Sequence, residues 1–194
     1  MPGSPRERMV QSAAILMREY GVEAMSFSQV VKHSGAPRGS IYHYFPGGKA
    51  QLVEEATRWA GDYIATRTAK AMHERGPLAM LDDSERFWGD VLGGTDFGSG
   101  CPVVAATLEG ERSPAAREAA AEAFRRWESV FAESLRRHGV DSDRADALAT
   151  TVFAGIEGGV ILSRAQRSMA PLLRVLSELR IVVAGALSAV APPT

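Results

Sequence analysis

At 194 residues, 45% apolar and 23% charged, the chain is long enough to bury a core without added staples, and its composition is that of an ordinary globular protein. The single cysteine, Cys101, excludes an intramolecular disulfide and a multi-cysteine metal cluster. A formal net charge of −1 gives nucleic-acid binding no overall support, but residues 1–50 carry six Lys and Arg against three acids, a local +3, and the remainder sums to −4.

The N-terminus MPGSPRERMV lacks the apolar region of a signal peptide, and no run of about eighteen apolar residues follows, so the expectation is a cytoplasmic protein with no membrane partner. Helical periodicity runs through almost every segment, and no alternating β-branched stretch lies between turn signals; this predicts an all-α fold of about nine helices. The first helix runs from Ser4 to Tyr20 with Met9, Ala13, Leu16 and Tyr20 on one stripe, and Gly21 is its stop. A short second helix follows Ser26 or Phe27, turns Val30 and Val31 inward and ends at Gly35. A third starts at Pro37, where a missing N–H costs nothing, and reaches Phe45 before Pro46, Gly47 and Gly48 break it. From Lys49 to Arg75 the pattern stays helical for ~40 Å, with Gly61 as a possible bend.

Gly76 and Pro77 end that helix, another covers Leu78 to Leu92, and GGTDFGSG (Gly93 to Gly100) reads as a flexible loop. A short helix spans Pro102 to Glu109, and Ser113 with Pro114 opens a helix to His138, stopped by Gly139. Two long helices, Ser142 to Arg167 and Pro171 to Val190, finish the chain before a frayed APPT tail.

Residues 25–45, MSFSQVVKHSGAPRGSIYHYF, form a helix, a tight glycine-containing turn and a second helix, the arrangement that inserts its second member into a DNA major groove. At 100° per residue Ile41, Tyr44 and Phe45 share one arc of that second helix, while Gly39, Tyr42 and His43 occupy the other, flanked by Arg38 and Ser40, with Tyr44 at its edge. Arg38 suits phosphate or guanine, the hydroxyls of Ser40 and Tyr42 suit phosphate oxygens, and Gly39 permits close backbone approach. Lys49 opens the next helix as a phosphate anchor. Ser28 and Gln29 sit in the first turn of the preceding helix, where amides and dipole favour an anion, with Lys32 one turn on. The plain alternative for Tyr42, His43 and Tyr44 is a surface aromatic cluster.

The string GAPRGSIYHYFPGGKAQLVEEA resembles the DNA-binding signature of the TetR/AcrR family of bacterial regulators, and IEGGVILSRAQRSMAPLLRVLSELR is similar to the LmrA/YxaF-type subset. Pro37 departs from the Ser common before the basic residue, and Gly47–Gly48 lengthens the turn before Lys49 by one residue. The resemblance implies a three-helix head at 1–48, joined by the long helix to a ligand-binding and dimerisation domain at 49–194. It implies a double-stranded DNA operator of pseudo-palindromic form as partner, a homodimer, and a small apolar or aromatic effector whose binding releases a repressor. A ligand-independent regulator or an activator is the alternative.

Phe87, Trp88, Phe97, Cys101, Trp127, Phe131 and Phe153 could line the effector pocket, or be core. The penultimate helix carries Leu148, Val152, Ile156, Gly159 and Val160 on one side, with Gly155 and Gly159 permitting close approach, and the last presents Leu172, Leu176, Leu179 and Val183. These ten read as a four-helix dimer contact, the family's usual one, or as a seam within the chain. His33, His43, His73 and His138 lie in separate segments, and HExxH, GxSxG and P-loop patterns are missing, so neither catalysis nor a cofactor or metal is expected.

Overall fold

The computed structural model describes residues 3–37, 39–108 and 113–190. Arg38, Glu109 and the APPT tail fall outside them. The described residues form nine helices and no strand. α1 (Pro5–Ala24) begins with a capping box, in which the Ser4 hydroxyl accepts the Glu7 amide and the Glu7 carboxylate accepts the Ser4 amide at 2.8 Å. Gly21 kinks α1 at φ 81° and ψ 165°, and a last half-turn to Ala24 lies beyond it. Tyr20, placed on the inward stripe from sequence, is 57% exposed just before that kink.

α2 (Phe27–Ser34) is boxed by Ser26 and Gln29 and ends at Gly35, whose left-handed φ of 63° a side-chain-bearing residue adopts only with strain. α3 (Ser40–Tyr44) is shorter than the expected Pro37–Phe45. Gly39 takes φ 89° and holds the N-cap, so helical geometry starts only after it, and the Ser40 hydroxyl donates to the Pro37 carbonyl at 2.7 Å. α4 (Gly48–Arg75) runs 28 residues without a break at Gly61. α5 (Ala79–Gly94) extends through Gly93 and Gly94 into the expected loop. The remainder closes as a turn, with the Phe97 amide donating to the Leu92 carbonyl at 2.7 Å and the Thr95 hydroxyl to Val91. α6 (Pro102–Thr107), α7 (Pro114–Arg137), α8 (Ser142–Gln166) and α9 (Ala170–Ser188) follow.

Contacts divide the chain into two compact units, Met1–Tyr63 with Ser99–Ala123, and Ile64–Gly98 with Phe124–Thr194. In the first, α1 packs on α2, α3 and α6, burying Met9, Ala13, Met17, Val30, Ile41, Phe45, Val103 and Ala106. The Gly100 amide donates to the Arg18 carbonyl at 2.8 Å, which ties the segment before α6 to α1. α4 and α7 meet closely at Gly61, where an added Cβ would lie 2.6 Å from that of Ala123. In the second unit α8 packs on α9, and both meet α5. Arg180 on α9 pins α5 through Asp82 at 3.1 Å and Glu85 at 2.6 Å. α8 contains no uninterrupted apolar run of eighteen residues, yet an 18-residue window of it averages a hydropathy of 1.4, enough by length and composition alone to cross a membrane. Its buried side is the floor of this bundle, the position of a core helix.

Candidate nucleic-acid interface

α3 has two chemically different sides. Ile41 and Phe45 are 2% and 1% exposed and face the first unit's core, whereas Tyr42 is 70% exposed and Gly39 and His43 lie open beside it. Ser40 and Tyr44 are half-buried at the margin. The Tyr42 ring rests edge-on against Phe27 at 5.5 Å, which ties the exposed side of α3 to the start of α2, and His43 meets Tyr44 at 5.3 Å. A five-residue helix cannot hold its own direction through internal hydrogen bonds; packing and its flanking turns must hold it.

Those turns are held in detail. On the C-terminal side Arg6 lies over the Phe45 ring at 5.4 Å and pairs with Glu55 at 2.7 Å. Gln51 accepts the Gly47 amide at 2.9 Å and donates to Glu55 at 3.0 Å. On the N-terminal side Arg8 donates through Nε to the Ser34 carbonyl at 3.1 Å and through a terminal nitrogen to the Gly3 carbonyl at 2.9 Å. The Ser34 hydroxyl donates to Val31 and accepts the Ala36 amide, and His33 Nδ1 lies 3.0 Å from the Ser12 hydroxyl. None of Arg6, Arg8, His33 or Gln51 was singled out from sequence for this. The Arg6, Arg8 and His33 partners Glu55, Ser34 and Ser12 lie 49, 26 and 21 positions away, and no local pattern marks such pairs.

Several candidate DNA contacts hold structural bonds as well. The Gln29 side-chain oxygen accepts the Ser26 amide at 2.7 Å, and the Ser28 and Ser26 hydroxyls lie 3.0 Å apart. Both residues still occupy the positive end of α2, whose first turn contains no acid. Lys32 is exposed. The Lys49 ammonium donates to the Glu23 carbonyl at 2.7 Å. Arg38 lies outside the described residues.

Of the pocket candidates, the second unit brings three together: Trp127 and Phe153 at 5.8 Å and Phe131 and Phe153 at 6.3 Å, all nearly fully buried. Phe87 and Trp88 form a separate pair on α5 with Arg67 over the Phe87 ring, and Phe97 sits half-buried in its turn. Cys101 is buried in the first unit at the N-cap of α6. An open groove of about 470 Å³ between α4 and α7 in the second unit is lined by Met72, Val130, Lys70 and Arg137, among others, and by none of the seven candidates.

The ten interface candidates lie on α8 and α9, which pack on each other and on α5. Leu148, Val152, Ile156, Val160, Leu172, Leu176, Leu179 and Val183 are each at most 6% exposed. Gly155 faces Leu179, and buried Gly159 faces Leu172, where an added Cβ would come within 2.9 Å. The opposite sides of the same helices carry Ile161, Leu162, Leu173, Ile181 and Val182, which are 38–63% exposed. Periodicity alone does not single these five out, because α8 and α9 are apolar on two sides and a stripe does not say what covers it.

Residues 10–56 match the family model for bacterial regulatory proteins of the tetR family, and residues 77–178 match that for the C-terminal domain of LmrA/YxaF-like transcriptional regulators. The chain is 42% identical over 182 residues to an HTH-type transcriptional regulator of Mycobacterium tuberculosis, covering 91% of this chain and 92% of the relative. It is 35% identical over 177 residues to the HTH-type transcriptional regulator LmrA of Bacillus subtilis, covering 90% and 94%. Among solved structures, a TetR transcriptional regulator from Legionella pneumophila superposes with a TM-score of 0.78 at 19% identity over 93% of this chain and 97% of that one. The reduced form of NemR from E. coli gives 0.75 at 21% over 92% and 97%. These two likenesses concern the fold.

Proposed function

We propose, from the premise that this chain belongs to the TetR family of bacterial transcriptional regulators and carries an LmrA/YxaF-like C-terminal domain, that it is a cytoplasmic, homodimeric repressor released from a pseudo-palindromic operator by a small apolar or aromatic molecule. Regulators of this family bind DNA operators and act as dimers. In this reading residues 1–48 are the DNA-reading head and 49–194 carry the effector and dimer functions. The observation that carries the reading is the divided surface of α3, which buries Ile41 and Phe45 and leaves Tyr42 70% exposed beside His43. A helix too short to stabilise itself, fixed at both ends and bare on one side, suits insertion into a groove. The effector's apolar or aromatic character rests on the family resemblance and on the aromatic composition of this domain, and the five exposed aliphatic residues of α8 and α9 support the dimer.

The test uses a duplex selected by the protein itself from a random-sequence pool. Tyr42→Ala is expected to weaken its binding at least about tenfold, the cost of one good contact, with the oligomeric state unchanged. Undiminished binding removes α3 as the reading helix. Apolar and aromatic compounds titrated into the wild-type complex should lower DNA affinity by ~5- to 150-fold, the range of a 1–3 kcal/mol coupling. A compound that binds without moving DNA affinity favours the ligand-independent regulator instead.

A further inference from the structure

The geometry points to Arg8 as a positioning residue for sequence reading, acting through the turn between α2 and α3. Ser34 is the last residue of α2, and its carbonyl has no partner inside so short a helix; Arg8 supplies one at 3.1 Å, placing a cation at the negative end of α2. The connection to α3 is then a run of fixed points. Ser34 through its hydroxyl holds Val31 and Ala36, Gly35 turns in the left-handed region, and the Pro37 carbonyl receives both the Ser40 amide at 3.2 Å and the Ser40 hydroxyl at 2.7 Å. α3 has no side-chain cap of its own, because Gly39 holds that position. At this end its direction depends on the turn, and Arg8 binds the turn to α1. The second Arg8 bond, to the Gly3 carbonyl, holds the guanidinium in place from the other side. A fork of two bonds to two carbonyls needs the planar guanidinium, and a lysine ammonium at that position satisfies at most one of them in the same geometry.

This inference rests on α3 being the reading helix, and the experiment separates the two. Wild type, Arg8→Ala, Arg8→Lys and Tyr42→Ala are titrated with the selected duplex and with a scrambled duplex of equal composition, across a series of salt concentrations and well below the melting temperature. Misaiming α3 costs only the contacts that depend on sequence, whereas a partly unfolded head loses affinity for both duplexes by the same factor. Arg8→Ala and Arg8→Lys should each lower the selected-to-scrambled ratio at least about tenfold, with scrambled-duplex binding and its salt slope near wild type. Equal loss on both duplexes would show that Arg8 only holds the fold. A salt slope reduced by about one in Arg8→Ala and restored in Arg8→Lys would make it a phosphate contact. A wild-type ratio in Arg8→Ala overturns the inference while loss in Tyr42→Ala leaves the reading helix standing. Full selectivity in Tyr42→Ala removes α3 as the reading helix and overturns the inference with it, a result distinct from a wild-type ratio in Arg8→Ala alone.

Discussion

The Lys49 ammonium donates to the Glu23 carbonyl at 2.7 Å, in the short segment of α1 beyond the Gly21 kink. One of its three N–H donors is thereby committed within the fold. Lys32 offers the same charge from an exposed position on α2, with no such bond among the described residues. The two lysines should therefore separate experimentally. Lys49→Ala is expected to reduce both the salt slope of operator binding, by ~0.9, and the folding stability, by about 1 kcal/mol. Lys32→Ala should reduce the slope by the same amount and leave stability within about 0.5 kcal/mol. Salt-dependent binding isotherms beside denaturant melts check both, and an unchanged melt in Lys49→Ala would mean that the carbonyl bond contributes nothing. At this scale the sequence shows residue type and face but not prior commitment. Ser26-x-x-Gln29 carries the capping-box pattern, yet Gln29 reads equally well as a phosphate contact until its oxygen is seen on the Ser26 amide.

Among the elements, what was legible depended on whether the signal was local. The caps at Ser4, Ser26 and Asp141 and the left-handed stop at Gly35 are written into residues within one turn of each other, and the helices begin and end there. α3 is shorter than read because Pro37 announces a first turn that the left-handed Gly39 postpones. Gly61 shows the opposite limit. Read as a bend, it lies instead in an unbroken helix, and the demand for glycine comes from Ala123 on α7, sixty-two positions away. Two magnitudes compete in Gly61→Ala. Helix propensity favours it by ~1 kcal/mol, and an overpacked crossing opposes it by ~1–3 kcal/mol. With the two Cβ atoms 2.6 Å apart and Ala123 unable to rotate away, the clash should prevail. Gly61→Ala is expected to lower the unfolding midpoint, and Gly61→Ala with Ala123→Gly to recover most of the loss. A single variant more stable than wild type would show that α4 and α7 do not approach so closely.

For the whole molecule the question is which apolar surface of the last two helices faces a second copy. The stripe that stands out in sequence, Leu148 to Val183, is spent inside the chain, where Gly155 and Gly159 let α9 settle onto α8. The five residues left outside are large aliphatics on the same two helices, and exposed apolar surface of that kind is what an interaction face offers. The two surfaces predict different failures. Leu176→Ala removes a fully buried side chain and should cost about 2–5 kcal/mol of folding stability, lowering the melt of whatever species forms. Ile161→Asp with Ile181→Asp places carboxylates at positions 53% and 63% exposed, so the isolated subunit should fold normally and sediment as a monomer. Such a monomer presents one reading head, loses the effective concentration that links two half-sites, and should bind the selected duplex ~10²- to 10⁴-fold more weakly. Sedimentation velocity beside the binding isotherm decides the matter. A double variant that stays dimeric at full affinity would move the interface off this face, and a Leu176→Ala chain that dissociates while its subunits remain folded would return it to the seam.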